Sequence, residues 1–294
     1  MGFPLRLATN SRDVIEAATE SWGMCQPEFA RGAAAMQVVV EPEGDLAPPP
    51  RFRMSGHLVH VVGDAHNFGV VDTDALFASM WVSQKTAQDH TWLRWFFVES
   101  MAYVILAPRH IVAIHAACVS RDGAGILLSG ASGAGKSTLA FACAKARFTY
   151  VADDCAWLLV ESEDRTALGR PHVVRLREDA VSHFPEIARW VPRARPTGKI
   201  AIEVPTAELP GIATATRAPI RQIVFLARDA EGPDGIERVP ENETLPLLMR
   251  DMPSYGDEIN AIHQRTVERL SEVPAFRMRY HTLAQGIDFL LSIS

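Results

Sequence analysis

A nine-residue segment that begins at Gly130 and reads GASGAGKST constrains the fold of this chain more than any other feature. It fits the pattern G-x-x-x-x-G-K-[ST], in which a glycine-rich loop joins a strand to a helix. The apolar run 125–129 stands before the loop, and the Ala- and Leu-rich run 139–146 follows it. The sequence therefore predicts a buried strand, a tight loop and a helix in that order, a unit typical of α/β domains.

The composition of this loop indicates what it would bind. Its glycines allow backbone N–H groups to point at phosphate oxygens, and the start of the next helix adds partial positive charge. Lys136 would reach the β- and γ-phosphates, and the Ser137 hydroxyl would ligate Mg²⁺. A glycine-rich turn with a chance lysine is the alternative. The residues predicted to bind ATP are Gly130, Ser132, Gly133, Ala134, Gly135, Lys136, Ser137 and Thr138.

Two adjacent carboxylates, Asp153 and Asp154, follow the short apolar segment 149–152. Ligands bind at strand ends in α/β sheets, which places this pair where a triphosphate would lie. One carboxylate would orient Mg²⁺, and the other would accept the proton of an attacking hydroxyl. The alternative is a solvated acidic turn. The apolar run 155–160 that follows favours the functional interpretation.

The overall composition limits the classes of partner. A formal net charge of −6 at pH 7 argues against nucleic acid. The four cysteines lack metal-type spacing and are expected to be reduced thiols of a cytoplasmic protein. The first ten residues lack the apolar core of a secretory signal. The most hydrophobic segment, 92–108, contains two charged residues and is too short to span a membrane, so we expect a buried amphipathic helix and no membrane partner.

The pattern of predicted elements changes near residue 108. Residues 1–108 are predicted to form a smaller α+β domain, a candidate for substrate recognition, and residues 109–294 an α/β nucleotide-binding domain. In the first part we expect strands at 57–62 and 68–71 and a helix at 74–79. In the second part we expect one strand at 111–119, the strand 125–130, the helix 136–145, and strands at 149–152 and 173–176.

The chain lacks motifs that several classes of nucleotide-binding protein require. The chain has no N-K-x-D motif for guanine and no L-S-G-G-Q signature of transporter ATPases. It also has no long apolar strand that ends in Asp-Glu at the distance usual in motor ATPases. These absences disfavour a Ras-like GTPase, a transporter ATPase and a motor ATPase.

Three segments resemble the catalytic domain of HPr kinase/phosphorylase: IHAACV at 114–119, the loop with its preceding strand at 125–137, and VADD at 151–154. In that family a His-Gly strand precedes the P-loop and a V-A-D-D strand follows it. His115 lies 15 residues before Gly130, and Asp153 lies 17 residues after Lys136, which is similar to the family's register. The loop also resembles that of phosphoenolpyruvate carboxykinase, a longer structural relative. The resemblance implies a P-loop kinase domain of this type.

The resemblance also implies roles for individual residues. Asp153 would be the catalytic base toward the acceptor hydroxyl, and Asp154 would hold the metal together with Ser137. His115 corresponds to the family's active-site histidine, and Lys136 completes the predicted catalytic set. A histidine buried in the core is the alternative for His115.

The chain departs from this family in three places. The second signature, E-[IV]-R-G-L-G, is absent, and HVVRLR at 172–177 stands there, so phosphorolysis and the second metal ligand stay open. Ala116 replaces the glycine that follows the family histidine. The N-terminal third does not resemble that of the Gram-positive enzymes, which disfavours HPr as the substrate. Related kinases that phosphorylate a serine of a lasso-peptide precursor, or small hydroxyl compounds, fit this chain better.

The expected function is a Mg·ATP-dependent kinase that phosphorylates a serine-type hydroxyl of a peptide or protein. The alternatives are a kinase for a small hydroxyl compound such as free serine, and a nucleotide-responsive binding module without transfer. A homo-oligomer is an open expectation, because HPr kinases form hexamers. The segment after residue 188 is basic, and Arg195 or Lys199 in it is a candidate to close over the phosphates. The alternative interpretation of this segment is a solvated surface.

Overall fold

The computed structural model describes residues 2–30, 33–160, 162–196, 198–227, 232–250, 252 and 254–294 of the 294-residue chain. The described residues form several sheets with helices packed on them, a mixed α/β architecture. The chain folds as two compact units, Met1–Arg109 with Arg195–Gly198, and His110–Ala194 with Lys199–Ser294.

The first unit contains a six-stranded mixed sheet with helices on one face. Its strands are β1 (Leu5–Thr9), β2 (Ala34–Glu41), β3 (Arg51–Ser55), β4 (Leu58–Val62), β5 (Phe68–Asp72) and β6 (Phe77–Ser83). Its helices are α1 (Arg12–Trp22), α2 (Gln84–Gln88), α3 (His90–Leu93) and α4 (Ser100–Leu106), and the π-helical segment Arg94–Glu99 joins α3 to α4. The strand order is β1-β2-β6-β5-β4-β3, in which the pairs β1–β2 and β2–β6 are parallel.

The core of the first unit lies between this sheet and its helices. Met36 and Met80 from the sheet are buried in one cluster with Phe97, Met101 and Ile105 from the long helical segment. The helix predicted within 92–108 is confirmed, since the chain is helical from His90 to Leu106.

The helix expected at 74–79 is wrong. Asp72 Oδ1 accepts the backbone N–H groups of Asp74 and Ala75 at 3.0 and 2.9 Å, which closes a turn after β5. Leu76 then has a positive φ of 52°, and β6 begins at Phe77. Because β6 hydrogen-bonds to β2 on one side and β5 on the other, strand pairing overrides the helix propensity of the Ala and Leu residues.

The second unit contains the glycine-rich loop. Its strands are β7 (Ile111–Ile114), β8 (Ala116–Arg121), β9 (Ala124–Ser129), β10 (Thr149–Ala152), β11 (Ala156–Leu159), β12 (Thr166–Leu168), β13 (Val173–Leu176), β14 (Arg193–Ala194), β15 (Ile200–Pro205), β16 (Arg217–Leu226), β17 (Gly235–Arg238) and β18 (Ala275–Arg279). Its helices are α5 (Lys136–Lys145), α6 (Glu241–Met249), α7 (Asp257–Ser271) and α8 (Leu283–Ile293), and three short 3₁₀ segments span Glu178–Ser182, Pro185–Arg189 and Thr206–Glu208.

A nine-stranded sheet forms the centre of the second unit. Its path is β10-β8-β9-β16-β12-β11-β7, and β18 pairs with both β16 and β17. Side chains alternate between its faces. On β9, Ile126 and Leu128 enter the cluster that contains α5, α8 and the small antiparallel sheet β13-β15-β14, whereas Leu127 enters the cluster that contains α6 and α7. The sheet is therefore covered on both faces.

Most elements around the loop have the predicted bounds. The helix 136–145 and the strands 149–152 and 173–176 are confirmed. The single strand expected at 111–119 is wrong, because it is divided at His115 into β7 and β8. β7 pairs with β11, whereas β8 pairs with β9 and β10, so the two halves bond to different neighbours. Among the described residues, no helix has the length and apolar character needed to cross a membrane.

The packing of α5 can be tested at Phe141. Its ring is fully buried and meets the Phe184 ring edge-on, at 4.7 Å between centroids and 76° between planes. We expect Phe141→Ala to lower the free energy of unfolding by about 3–5 kcal/mol, because it removes a large buried ring. Denaturant unfolding measures the change. Phe52→Ala, at a ring that is 47% exposed, is the matched control and should change stability by about 0.5 kcal/mol or less. Equal losses in both variants would contradict the packing described here.

Candidate functional site

A tight glycine-rich loop joins β9 to α5. The backbone φ is positive at Gly130 (153°), Gly133 (92°) and Gly135 (90°), conformations that favour glycine. A Cβ at Gly130 would also lie 3.0 Å from the Leu226 carbonyl oxygen, so a side chain there would push the loop away from the sheet. Gly135 is the N-cap of α5 and has no side chain to cap the helix, so the first-turn N–H groups are available to a ligand.

Lys136 places a buried positive charge in the loop. It is the first residue of α5 and is only 6% exposed. Its ammonium group donates to the carbonyl oxygens of Gly130 at 2.7 Å and Ala131 at 3.1 Å. Hydrogen bonds between charged groups are stronger than those to neutral carbonyls, so a phosphate would be a better partner for this ammonium group.

One hydrogen bond ties the start of α5 to the end of β10. The Ser137 hydroxyl donates to the backbone carbonyl oxygen of Asp153 at 3.1 Å. Asp153 directly follows β10 and is 5% exposed, and its Oδ2 accepts the backbone N–H of Arg175 at 2.5 Å. The structure therefore brings Ser137, next to the loop lysine, and the buried carboxyl group of Asp153 to the same edge of the sheet.

Burial perturbs the acid–base chemistry of this edge. It raises the pKa of Asp153 above its usual value, and Asp154 adds to the rise, whereas the charge and N–H of Arg175 oppose it. The neighbouring phenol of Tyr150 is fully buried, and its pKa lies well above 10 because of burial and, secondly, because of Asp153. Perturbed carboxyl groups of this kind are typical of functional sites.

His115 lies in the break between β7 and β8. Because Ile114 pairs with Ala156 across β7 and β11, the break faces the acidic pair that precedes β11. The His115 Nε2 atom lies 3.6 Å from Asp154 Oδ1, and the two side chains are 39% and 52% exposed. The alternative of a core histidine is therefore wrong, and the structure places His115 beside Asp154.

The donor groups of the loop and the acidic pair fit a nucleoside triphosphate with Mg²⁺. The loop supplies N–H groups and an ammonium group for phosphate oxygens. The Ser137 hydroxyl and the Asp154 carboxylate are oxygen donors of the kind that Mg²⁺ prefers. The adjacent thiol of Cys155 does not compete, because burial raises its pKa to about 12 and keeps it protonated.

Arg175 on β13 and Arg177, which directly follows β13, lie at the site, although the sequence did not predict either of them there. Arg175 contacts Asp153, and the Arg177 guanidinium lies near the loop at Gly133. The alternation of VVRLR could have indicated that both point away from the core, but only the fold shows that this face borders Asp153. Arg195, one candidate to close over phosphates, instead has its guanidinium 4.6 Å above the Trp95 ring in the first unit.

A family model and a solved structure are each similar to part of this chain. The family model described as SynChlorMet cassette protein ScmC matches residues 81–192, which include the loop and the acidic pair but less than half of the chain. The solved structure of the Hpr(Ser) kinase/phosphatase from Coxiella burnetii is 13% identical, covers 62% of this chain and 89% of its own, and superposes with a TM-score of 0.33. No curated protein matches this chain.

The raised pKa of Asp153 predicts a pH-dependent stability. Between the usual value of 3.8 and the raised value in the folded state, the folded protein binds more protons than the unfolded chain. Wild-type stability should therefore fall as the pH rises through this window, and the loss should be complete above it. We expect Asp153→Asn, which does not titrate, to have a higher melting temperature than the wild type at pH 7.

Melting temperatures from pH 3 to pH 8 measure this effect. Asp154→Asn is the matched control, because that side chain is half exposed and its charge is mostly solvated. An Asp153→Asn variant that follows the wild-type pH profile would show that burial of the Asp153 charge does not strain the fold.

Proposed function

We propose that this protein is a Mg·ATP-dependent kinase that transfers the γ-phosphate to a serine-type hydroxyl of a peptide or protein. The observation that carries the proposal is the hydrogen bond from the Ser137 hydroxyl to the backbone carbonyl oxygen of Asp153, which joins the start of α5 to the residue that bears the buried carboxyl group. A nucleotide-binding loop alone serves many classes of protein. A buried carboxyl group with a raised pKa beside the loop supplies the base that transfer to an alcohol needs.

The loop would hold the phosphates in place. Its N–H groups and the start of α5 would bind the phosphate oxygens, and the Lys136 ammonium would exchange its two carbonyl partners for them. Mg²⁺, when bound by Ser137 and Asp154, would neutralise negative charge on the phosphates. Both contributions favour the transition state of phosphoryl transfer, in which charge is spread over the γ-phosphoryl oxygens.

Asp153 would take the proton of the acceptor. Its Oδ2 is held by the Arg175 N–H, so Oδ1 is the oxygen that would accept the proton. As the acceptor oxygen bonds to the γ-phosphorus, the bond from phosphorus to the β–γ bridging oxygen breaks and ADP leaves. A base with a raised pKa accepts a proton more readily once it is ionised, which suits this role.

His115 and Asp154 form the exposed side of the site. At 3.6 Å, a protonated His115 would pair with Asp154 and orient that carboxylate toward the metal. Because both side chains are partly exposed, an acceptor could reach this side of the site from solvent. A kinase for a free hydroxy compound and a nucleotide-responsive module without transfer are the other outcomes that the assay distinguishes.

Intact-mass analysis of candidate acceptors with Mg·ATP tests the proposal. The panel contains a serine-ended peptide, HPr and free serine, each incubated with the wild-type chain. Phosphate gained by the peptide or by HPr would support the proposal, and phosphate gained by free serine would favour the small-molecule kinase. ATP binding without transfer to any acceptor would contradict the kinase and favour the module.

The base is tested separately by Asp153→Asn. We expect the variant to bind Mg·ATP as the wild type does and to lose about 10²- to 10⁴-fold in transfer rate, the range for loss of a general base. Asp122→Asn is the matched control, since that carboxylate is 95% exposed in the turn after β8. Transfer by Asp153→Asn at a near-native rate would refute the assignment of the base.

The loop lysine is tested by Lys136→Ala. Loss of a charged hydrogen bond of about 1.5–3 kcal/mol should weaken Mg·ATP binding about 10- to 100-fold, measured by calorimetry. Lys145→Ala, at the other end of α5, removes the same charge from a 43% exposed side chain and should bind normally. Unchanged affinity in Lys136→Ala would remove the loop as the nucleotide site.

A further inference from the structure

Strand β13 runs from the proposed base toward the glycine-rich loop. Val174 and Leu176 are buried in the cluster that contains α5, which fixes the strand against that helix. Between them, the Arg175 N–H donates to Asp153. One strand is therefore held both by the helix that follows the loop and by the carboxyl group of the site.

The two arginines of this segment have different surroundings. The Arg175 side chain is 15% exposed, and its Nε donates to Glu203 Oε1 on β15 at 2.9 Å, so its charge is already paired. Arg177 is exposed, and among the residues that the structure describes its guanidinium has no hydrogen-bond or ion-pair partner. The acidic residues Glu178 and Asp179 follow it without pairing with it.

The guanidinium group of Arg177 lies close to the middle of the glycine-rich loop. Its backbone is extended, with φ −73° and ψ 162°, so it continues the alternation of β13 and points away from buried Leu176. Its Nη1 and Nη2 atoms lie 3.8 and 4.0 Å from the position that a Cβ would occupy on Gly133. The guanidinium of Arg177 thus lies beside the middle of the loop, within van der Waals reach of residue 133.

We propose that Arg177 binds the terminal phosphates of a nucleoside triphosphate seated on this loop. The inference rests on the proposed function, because it requires a nucleotide there. A guanidinium group presents two parallel N–H donors that match two phosphate oxygens, which an ammonium group does not. Lys136 supplies one positive charge from within the loop, and Arg177 supplies a second from across it.

Calorimetric titration with Mg·ATP tests this role in the full chain. We expect Arg177→Ala to weaken binding about 10- to 100-fold, the range for loss of a charged hydrogen bond, and Arg177→Lys to bind with intermediate affinity. Arg238→Ala is the matched control, since Arg238 is also exposed and unpaired among the described residues but lies at the end of β17. Added salt should weaken binding by the wild type more steeply than by Arg177→Ala.

The outcomes separate the two proposals. If the wild type binds Mg·ATP and Arg177→Ala binds equally well, the role of Arg177 is wrong and the proposed function stands. Equal weakening in Arg177→Ala and Arg238→Ala would also overturn the role, because it would reflect overall charge only. If the wild type does not bind Mg·ATP, the proposed function fails and this inference fails with it. Unfolding curves of each variant confirm that the fold is retained.

Discussion

The hydrogen bond from the Ser137 hydroxyl to the Asp153 carbonyl oxygen is the contact on which the site depends. It joins the first turn of α5 to the end of β10, and therefore the loop to the acidic pair. The helix is buried from Leu139 to Ala144, and close packing of this kind resists a shift of α5 on the sheet. This hydrogen bond thus links the buried helix to the edge of the sheet where the acidic pair lies.

The charged form of the Asp153 carboxyl group is unfavourable in its buried position. Asp153 loses hydration in a buried position, and the hydrogen bond from the Arg175 N–H only partly offsets that loss, as the raised pKa indicates. Charged carboxyl groups are rarely fully buried unless they are paired, and the side chain of the neighbouring Asp154 is half exposed. Natural proteins retain destabilised groups of this kind where chemistry needs them, which is why Asp153 is more informative than the exposed acidic residues elsewhere.

Local patterns predicted some elements well and others poorly, for physical reasons. The helix 136–145 follows from its glycine-rich N-terminus and its run of Ala and Leu, which are local features. The failure at 74–79 arises because β6 is formed by pairing with two distant strands. The break at His115 arises because β7 and β8 bond to different neighbours, and no pattern within 111–119 encodes that choice.

The sequence by itself determined the loop, its lysine and hydroxyl, and the acidic pair as candidates, because spacing and residue type are enough to indicate phosphate and metal chemistry. Only the tertiary structure decided which candidates meet. It buried Asp153 and exposed Asp154, and it placed His115 beside the latter. It also brought Arg177 to the loop from about 40 residues further along the chain, since strand pairing and helix packing, not sequence separation, set distances between side chains.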